Sequence, residues 1–413
     1  MVVGRRSLLL GAAALAIAPR ARAATATWSN ARVLVGDGTE ITGGVAVENG
    51  MIKAVGPDVK GGTDLGGAVL FPGFWDGGSP IGLSEIDLEP DSRDDSEGSD
   101  AITPQARVVD GYNAASELLP VARYGGVLGG LVIPGGGTLV SGQAAWMRFA
   151  GDTCPEATIL ADAGVVINLG HGGTGGAPNS PKSRMGAAMK IRDLLDANEL
   201  PKEPEGKKKK KGEDEKDEKL TRAQKVIRAM RAREKKALFA CDRADDVLVA
   251  LDVAREYELD AVLLGCAEGW KVAKAIAEAK VPVLLGPITT QPSGFSTLYA
   301  RYENAAALHE AKVRFALRQG DPHQLRELPT EACVAVANGL PWAAAIAAVC
   351  GNGPSFWGLQ TGLIKPGYEA TFAVAEGDPL QPRTRILGVT VRGAEVPHTS
   401  RQTELYERYR TLF

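Results

Sequence analysis

The run from residue 126 to 318 limits the possible folds of this chain more than any other. Short apolar segments recur there, each followed by a stretch with helical periodicity. Ala261-Val262-Leu263-Leu264 and Val281-Pro282-Val283-Leu284-Leu285 are almost continuously apolar, as strands covered on both faces must be. In the intervals the period changes. Val247, Ala250, Leu251 and Ala254 share one face of a helix after Asp242, and Val272, Ile276 and Ala279 share a face of another. This alternation builds a parallel sheet wrapped by helices. Strands are expected at 67–75, 126–133, 157–169, 236–241, 260–265, 281–286 and 312–318, with one more hidden around 183–235. A length of 413 residues allows two or three domains, although α/β barrels exceed that rule as single units.

The flanks read differently. Residues 28–69 alternate and turn: Ala31 to Val35, Gly43 to Glu48 and Met51 to Val55 are strand-like, with Asp37-Gly38 and Asn49-Gly50 as hairpin signals between them. A similar piece returns near the other end, in Ala370 to Val374 and Ile386 to Val391. Inside the α/β region lies a charged insertion at about 202–219, with five consecutive lysines, Lys207 to Lys211, then a mixed acidic and basic run. It has nothing apolar to bury and is expected to be a solvated loop or a frayed helix. Polyanion or membrane contact through the lysines is the sharper alternative, weakened by the adjacent acids.

The first 23 residues read as an export signal. Arg5-Arg6 precede a short apolar run, and Ala21-Arg22-Ala23 is a small-x-small cleavage site. The paired arginines favour a twin-arginine address over an ordinary secretory one. Either route places the mature chain, from Ala24, in the periplasm or outside the cell. No later apolar run is long enough to span a bilayer. A net charge of −3 gives no globally basic surface, so nucleic acid is not an expected partner. The five cysteines, Cys154, Cys241, Cys266, Cys333 and Cys350, match no zinc or redox spacing.

Val69-Leu70-Phe71 runs into Pro72-Gly73, then Phe74-Trp75-Asp76 and Gly77-Gly78-Ser79-Pro80. This resembles the first barrel strand of the amidohydrolase superfamily, where Pro-Gly, apolar residues and Asp lead into a His-x-His metal clamp. Leu238-Phe239-Ala240-Cys241-Asp242-Arg243-Ala244-Asp245-Asp246 resembles the stretch around strand five, and Gly362 to Leu380 resembles the closing strands. Asp110 to Val127 and Pro134 to Gln143 are similar to imidazolonepropionase-like periplasmic members. The resemblance covers most of residues 28–396. It implies a (β/α)8 TIM-like barrel over 69–359 and a composite β-sandwich from 24–68 and 360–398. It also implies hydrolysis of a non-peptide C–N bond by metal-bound hydroxide.

The ligands implied by the resemblance are a His-x-His after strand one, a histidine after each of strands five and six, and an aspartate after strand eight. Here the first pair reads Gly78 and Pro80, the strand-five position reads Ala240, and Cys266-Ala267-Glu268 after strand six holds no histidine. Asp321 keeps the aspartate, which makes it the candidate catalytic group. Around the expected mouth the candidate pocket residues are Asp76, His171, Cys241, Cys266 and His323. Asp76 has a turn-shaping role as its alternative. His171 opens a glycine-rich loop, read as a flexible mouth loop with an anion cradle as the alternative. Cys241 and Cys266, with Asp321 or His323, could form a soft zinc or copper site; two buried thiols or a disulfide are the alternatives. His309 and His398 are expected at the surface.

Three readings follow. In the first, the chain has lost the usual metal site and activity and holds no cofactor; it serves as partner to an active amidohydrolase paralogue. In the second, it is a hydrolase with a rearranged site, with zinc as cofactor. In the third, it is a periplasmic protein that holds a small-molecule ligand in the barrel mouth.

Overall fold

The computed structural model describes residues 25–200, 220–290, 292 and 294–412. The expected export signal and charged insertion lie outside these residues. The α/β region forms one eight-stranded sheet curled into a nearly closed barrel. Its strands are β1 (Phe74–Ser79), β2 (Val127–Val132), β3 (Val140–Arg148), β4 (Thr158–Asn168), β5 (Lys236–Cys241), β6 (Ala261–Gly265), β7 (Val283–Leu285) and β8 (Phe315–Leu317). Neighbours in sequence are neighbours in the sheet throughout.

β1 pairs with β2 in parallel, and β4 to β8 run parallel to one another. β3 runs against both of its neighbours. It supplies the strand expected at 183–235, a region whose described residues form helices instead, at Arg184–Asp196 and Arg222–Arg231. Side chains alternate along each strand. Trp75, Leu131, Trp146, Leu238, Leu264 and Leu284 fill the barrel, while Phe74, Leu128 and Phe239 pack outward in the larger core shared with the helices.

The expected strand at 67–75 is two strands. Val69–Phe71 belongs to the flanking sheet, and β1 begins only at Phe74. Pro72 removes a ladder donor, and Gly73 takes φ +69°, so the chain turns from one sheet into the other. The flanking unit is a separate β-domain built from both chain ends, as expected, its strands joined in one continuous sheet around its own core. Its order is Ala394–Val396, Ile386–Val391, Phe372–Ala375, Val69–Phe71, Ala26–Leu34, Glu40–Glu48, Met51–Gly56. Thr63–Asp64 pairs on the side of Ala26–Leu34. The Asn49-Gly50 hairpin forms with φ of +56° and +76°, the signs a type I′ turn needs. Trp28, Val33, Val45, Leu70 and Phe372 make its core.

Candidate functional site

β1 and β8 are the two ends of the barrel sheet, and no ladder pairs them. Side chains join them instead. Asp76 is fully buried in β1. Its Oδ1 accepts from Gln319 N at 2.8 Å and its Oδ2 from Gly78 N at 2.9 Å. Arg318, the residue after β8, donates from Nε to Gly78 O at 2.9 Å. Asp76 therefore shapes the turn and also pins the seam. Burial pushes its carboxyl above the usual range; the Gln319 N–H, Arg318 and the Gly78 N–H hold it back.

Gly78 stands where the resemblance places a ligand histidine. A Cβ there would lie 3.6 Å from Arg318 Nε and 3.6 Å from Leu264 Cδ2. A permanent cation therefore adjoins the place where that side chain would start. Burial lowers the Arg318 pKa, and Asp76 and Asp242 offset this. Among the described residues its Nη atoms make no hydrogen bond or ion pair, although Nε does.

Arg318 lines a cavity of about 390 Å³ at the C-terminal ends of β4, β5 and β6. Ala240, Cys241, Asp242, Asp246 and Gly170 are also in its wall. The Asp246 side chain is only 4% exposed, with Oδ1 3.4 Å from Arg184 Nε. Its Oδ2 is buried and, among the described residues, has no hydrogen-bond partner. Burial raises the Asp242 and Asp246 carboxyls; Arg318 opposes the first shift, and Arg184 and Arg243 the second. A larger recess of about 890 Å³ lies elsewhere, between Tyr124, Arg326, Arg385 and His398. It takes no residue from the C-terminal ends of the barrel strands, where chemistry in such folds is built.

Of the candidate residues, Cys241 ends β5 in the cavity wall, its side chain packed in the outer core. Cys266 follows β6, with its N–H on Cys241 O at 2.8 Å. Both thiols are free, and Cys241 Sγ donates to Phe239 O at 3.5 Å. The neighbouring Cys266 thiol, then burial, pushes the Cys241 thiol well above its usual value. Asp321 and His323 form a separate pair. Asp321 caps the 3-10 turn Pro322–Glu327, accepting from His323 N at 2.8 Å, while His323 Nε2 lies 2.9 Å from Glu85 O. Neither lines the cavity. His171 opens a 3-10 turn beside it, where Gly170 and Gly172 are wall residues. His309 is exposed, and His398 is half-buried, stacked on Tyr124. Arg318, Asp246 and Glu331 were not singled out from sequence. Glu331 is buried and accepts from Ile288 N, Thr289 N and Thr289 Oγ1, tying the segment after β7 to its helix.

These residues do not fit a divalent metal held in the manner the resemblance implies. Gly78, Pro80 and Ala240 carry no donor side chain, and the guanidinium beside Gly78 repels a second cation. The soft site imagined around the cysteines is not assembled, because Asp321 and His323 lie outside the cavity. Among the described residues, no three His, Cys, Asp or Glu side chains form a metal-holding group.

An amidohydrolase from Thermotoga maritima MSB8 superposes with a TM-score of 0.80 at 27% identity, covering 90% of this chain and 99% of that one. The chain belongs to the amidohydrolase superfamily. Molinate hydrolase superposes with a TM-score of 0.56 at 15% identity over 91% of this chain and 95% of its own. Ochratoxinase from A. niger does so at 0.52 and 15%, over 90% and 95%. These two share the superfamily fold alone. No protein-family model and no curated protein matches the chain.

Proposed function

We propose that this superfamily member has exchanged its metal clamp for a fixed guanidinium, and that its barrel mouth now binds a small ligand. The observation that carries the reading is Arg318. It adjoins the position of the first clamp histidine, is held there by Gly78 O, and has Nη atoms that no described residue hydrogen-bonds, available to an anionic group. Asp321, the one ligand position retained in sequence, is used as a helix cap. Export to the periplasm and association with an active paralogue belong to the same proposal.

A second reading rests on Asp242. A carboxyl with a raised pKa, on a cavity wall with a cation, is suited to acid–base work in a rearranged hydrolase site. Elemental analysis of chain purified without chelator, paired with hydrolysis of a cyclic amide and imide panel, separates the two. The first reading expects less than stoichiometric zinc and no turnover. Tightly held zinc with turnover that chelator abolishes overturns it. Metal-free turnover lost in Asp242→Asn selects the second reading, and a copurified paralogue adds the partner role.

A further inference from the structure

We infer that the mouth cavity is a site for a small dipolar molecule, with a carboxylate that meets Arg318 and an ammonium that meets Asp246. The inference rests on the ligand-binding reading above and names the chemistry of that ligand. Two observations of opposite sign support it. Arg318 presents Nη donors that no described residue uses, on a side chain fixed through its Nε. Asp246 presents a buried Oδ2 that no described residue satisfies, although a buried carboxylate oxygen without a donor costs free energy. Both side chains line one cavity, of about 390 Å³.

The other groups narrow the choice. Asp242 and Asp246 in the wall oppose a ligand that is anionic all over, such as a phosphate ester. Arg318 opposes one that is only cationic. Asp76 is not in the cavity wall, and both its oxygens already accept backbone N–H groups. Arg184 Nε lies 3.4 Å from the Oδ1 of Asp246, while a Cβ on Gly170 would lie 3.5 Å from its Oδ2, which no described residue hydrogen-bonds. Leu264 and Ala240 supply apolar wall, which suits a short methylene spacer between the two charged ends. The volume is within the range of small-molecule sites, about 300–1,000 Å³.

Isothermal titration calorimetry on the folded chain tests this with γ-aminobutyrate, ε-aminocaproate and lysine, against butyrate and butylamine. At least one dipolar compound is expected to bind about tenfold or more tightly than either singly charged control. Arg318→Gln should erase the advantage over butylamine, and Asp246→Asn the advantage over butyrate. No preference for any dipolar compound overturns the inference, and so does a preference that survives both variants. The parent series decides alone if a variant does not fold. A metal-free chain without the preference sinks this inference but not the loss of the clamp. Zinc with turnover sinks the earlier reading, whatever the calorimetry gives.

Discussion

Asp76 does the work of a missing strand ladder with one carboxylate. Asp76→Ala strands the Gln319 and Gly78 N–H groups in a dry seam and removes a counter-charge from Arg318. The expected loss is about 3–5 kcal/mol. Asp76→Asn keeps one acceptor and should lose about half as much, read as a fall in urea midpoint at unchanged slope. Burial holds Asp76, Asp242, Asp246 and Glu331 above the ordinary carboxylate range, so the fold binds protons that the unfolded chain releases near pH 4. Their contribution therefore favours folding at low pH and is lost as pH rises through their folded values. Asp246 faces Arg184, Arg243, Asp245 and Asp242, none of which reaches its Oδ2. Asp246→Asn should thus be more stable than the parent at neutral pH, by a margin that shrinks on acidification. A margin independent of pH in urea titrations would contradict this. The site was only partly legible in the sequence. Missing histidines can be read from a string, but what replaces them is set by which side chain a strand end turns inward. Arg318 directly follows the apolar Phe315–Leu317, and a charge at that point was the available signal.

At the scale of elements, the parallel strands could be read because both their faces are buried, so their sequences are apolar throughout. β3 escaped because Val140-Ser141-Gly142-Gln143 is polar at its start, and its antiparallel direction needs only a short loop from β2 and no crossover helix. Its last residue, Arg148, reaches into the flanking unit and grips Glu369, with Nε 2.9 and 3.0 Å from the two carboxylate oxygens. The side chains are only 12% and 11% exposed. Arg148→Ala should cost about 2–4 kcal/mol and broaden the melting transition, as barrel and sheet lose a common fastening. The ends of β5 and β6 give a further expectation. The neighbouring Cys266 thiol, with burial, holds the Cys241 pKa well above its usual value and keeps Cys241 protonated. Iodoacetamide at mildly alkaline pH should modify it no faster than the molecule opens, so mass spectrometry should find it unlabelled until denaturant is added.

For the whole molecule, the curled flanking sheet has one consequence for biosynthesis. Val69–Phe71 is sandwiched between Ala26–Leu34, made shortly before it, and Phe372–Ala375, made about 300 residues later. On the ribosome, the early hairpins must wait with one backbone edge bare while the entire barrel is translated, and an edge left open invites pairing with other chains. Ribosome-bound fragments ending before residue 370 should therefore be protease-sensitive over 26–71, whereas release of the finished chain should close the sheet and confer resistance. The last tenth of the polypeptide then acts as a clasp, and a premature stop codon there would yield an aggregating product rather than a shortened working one.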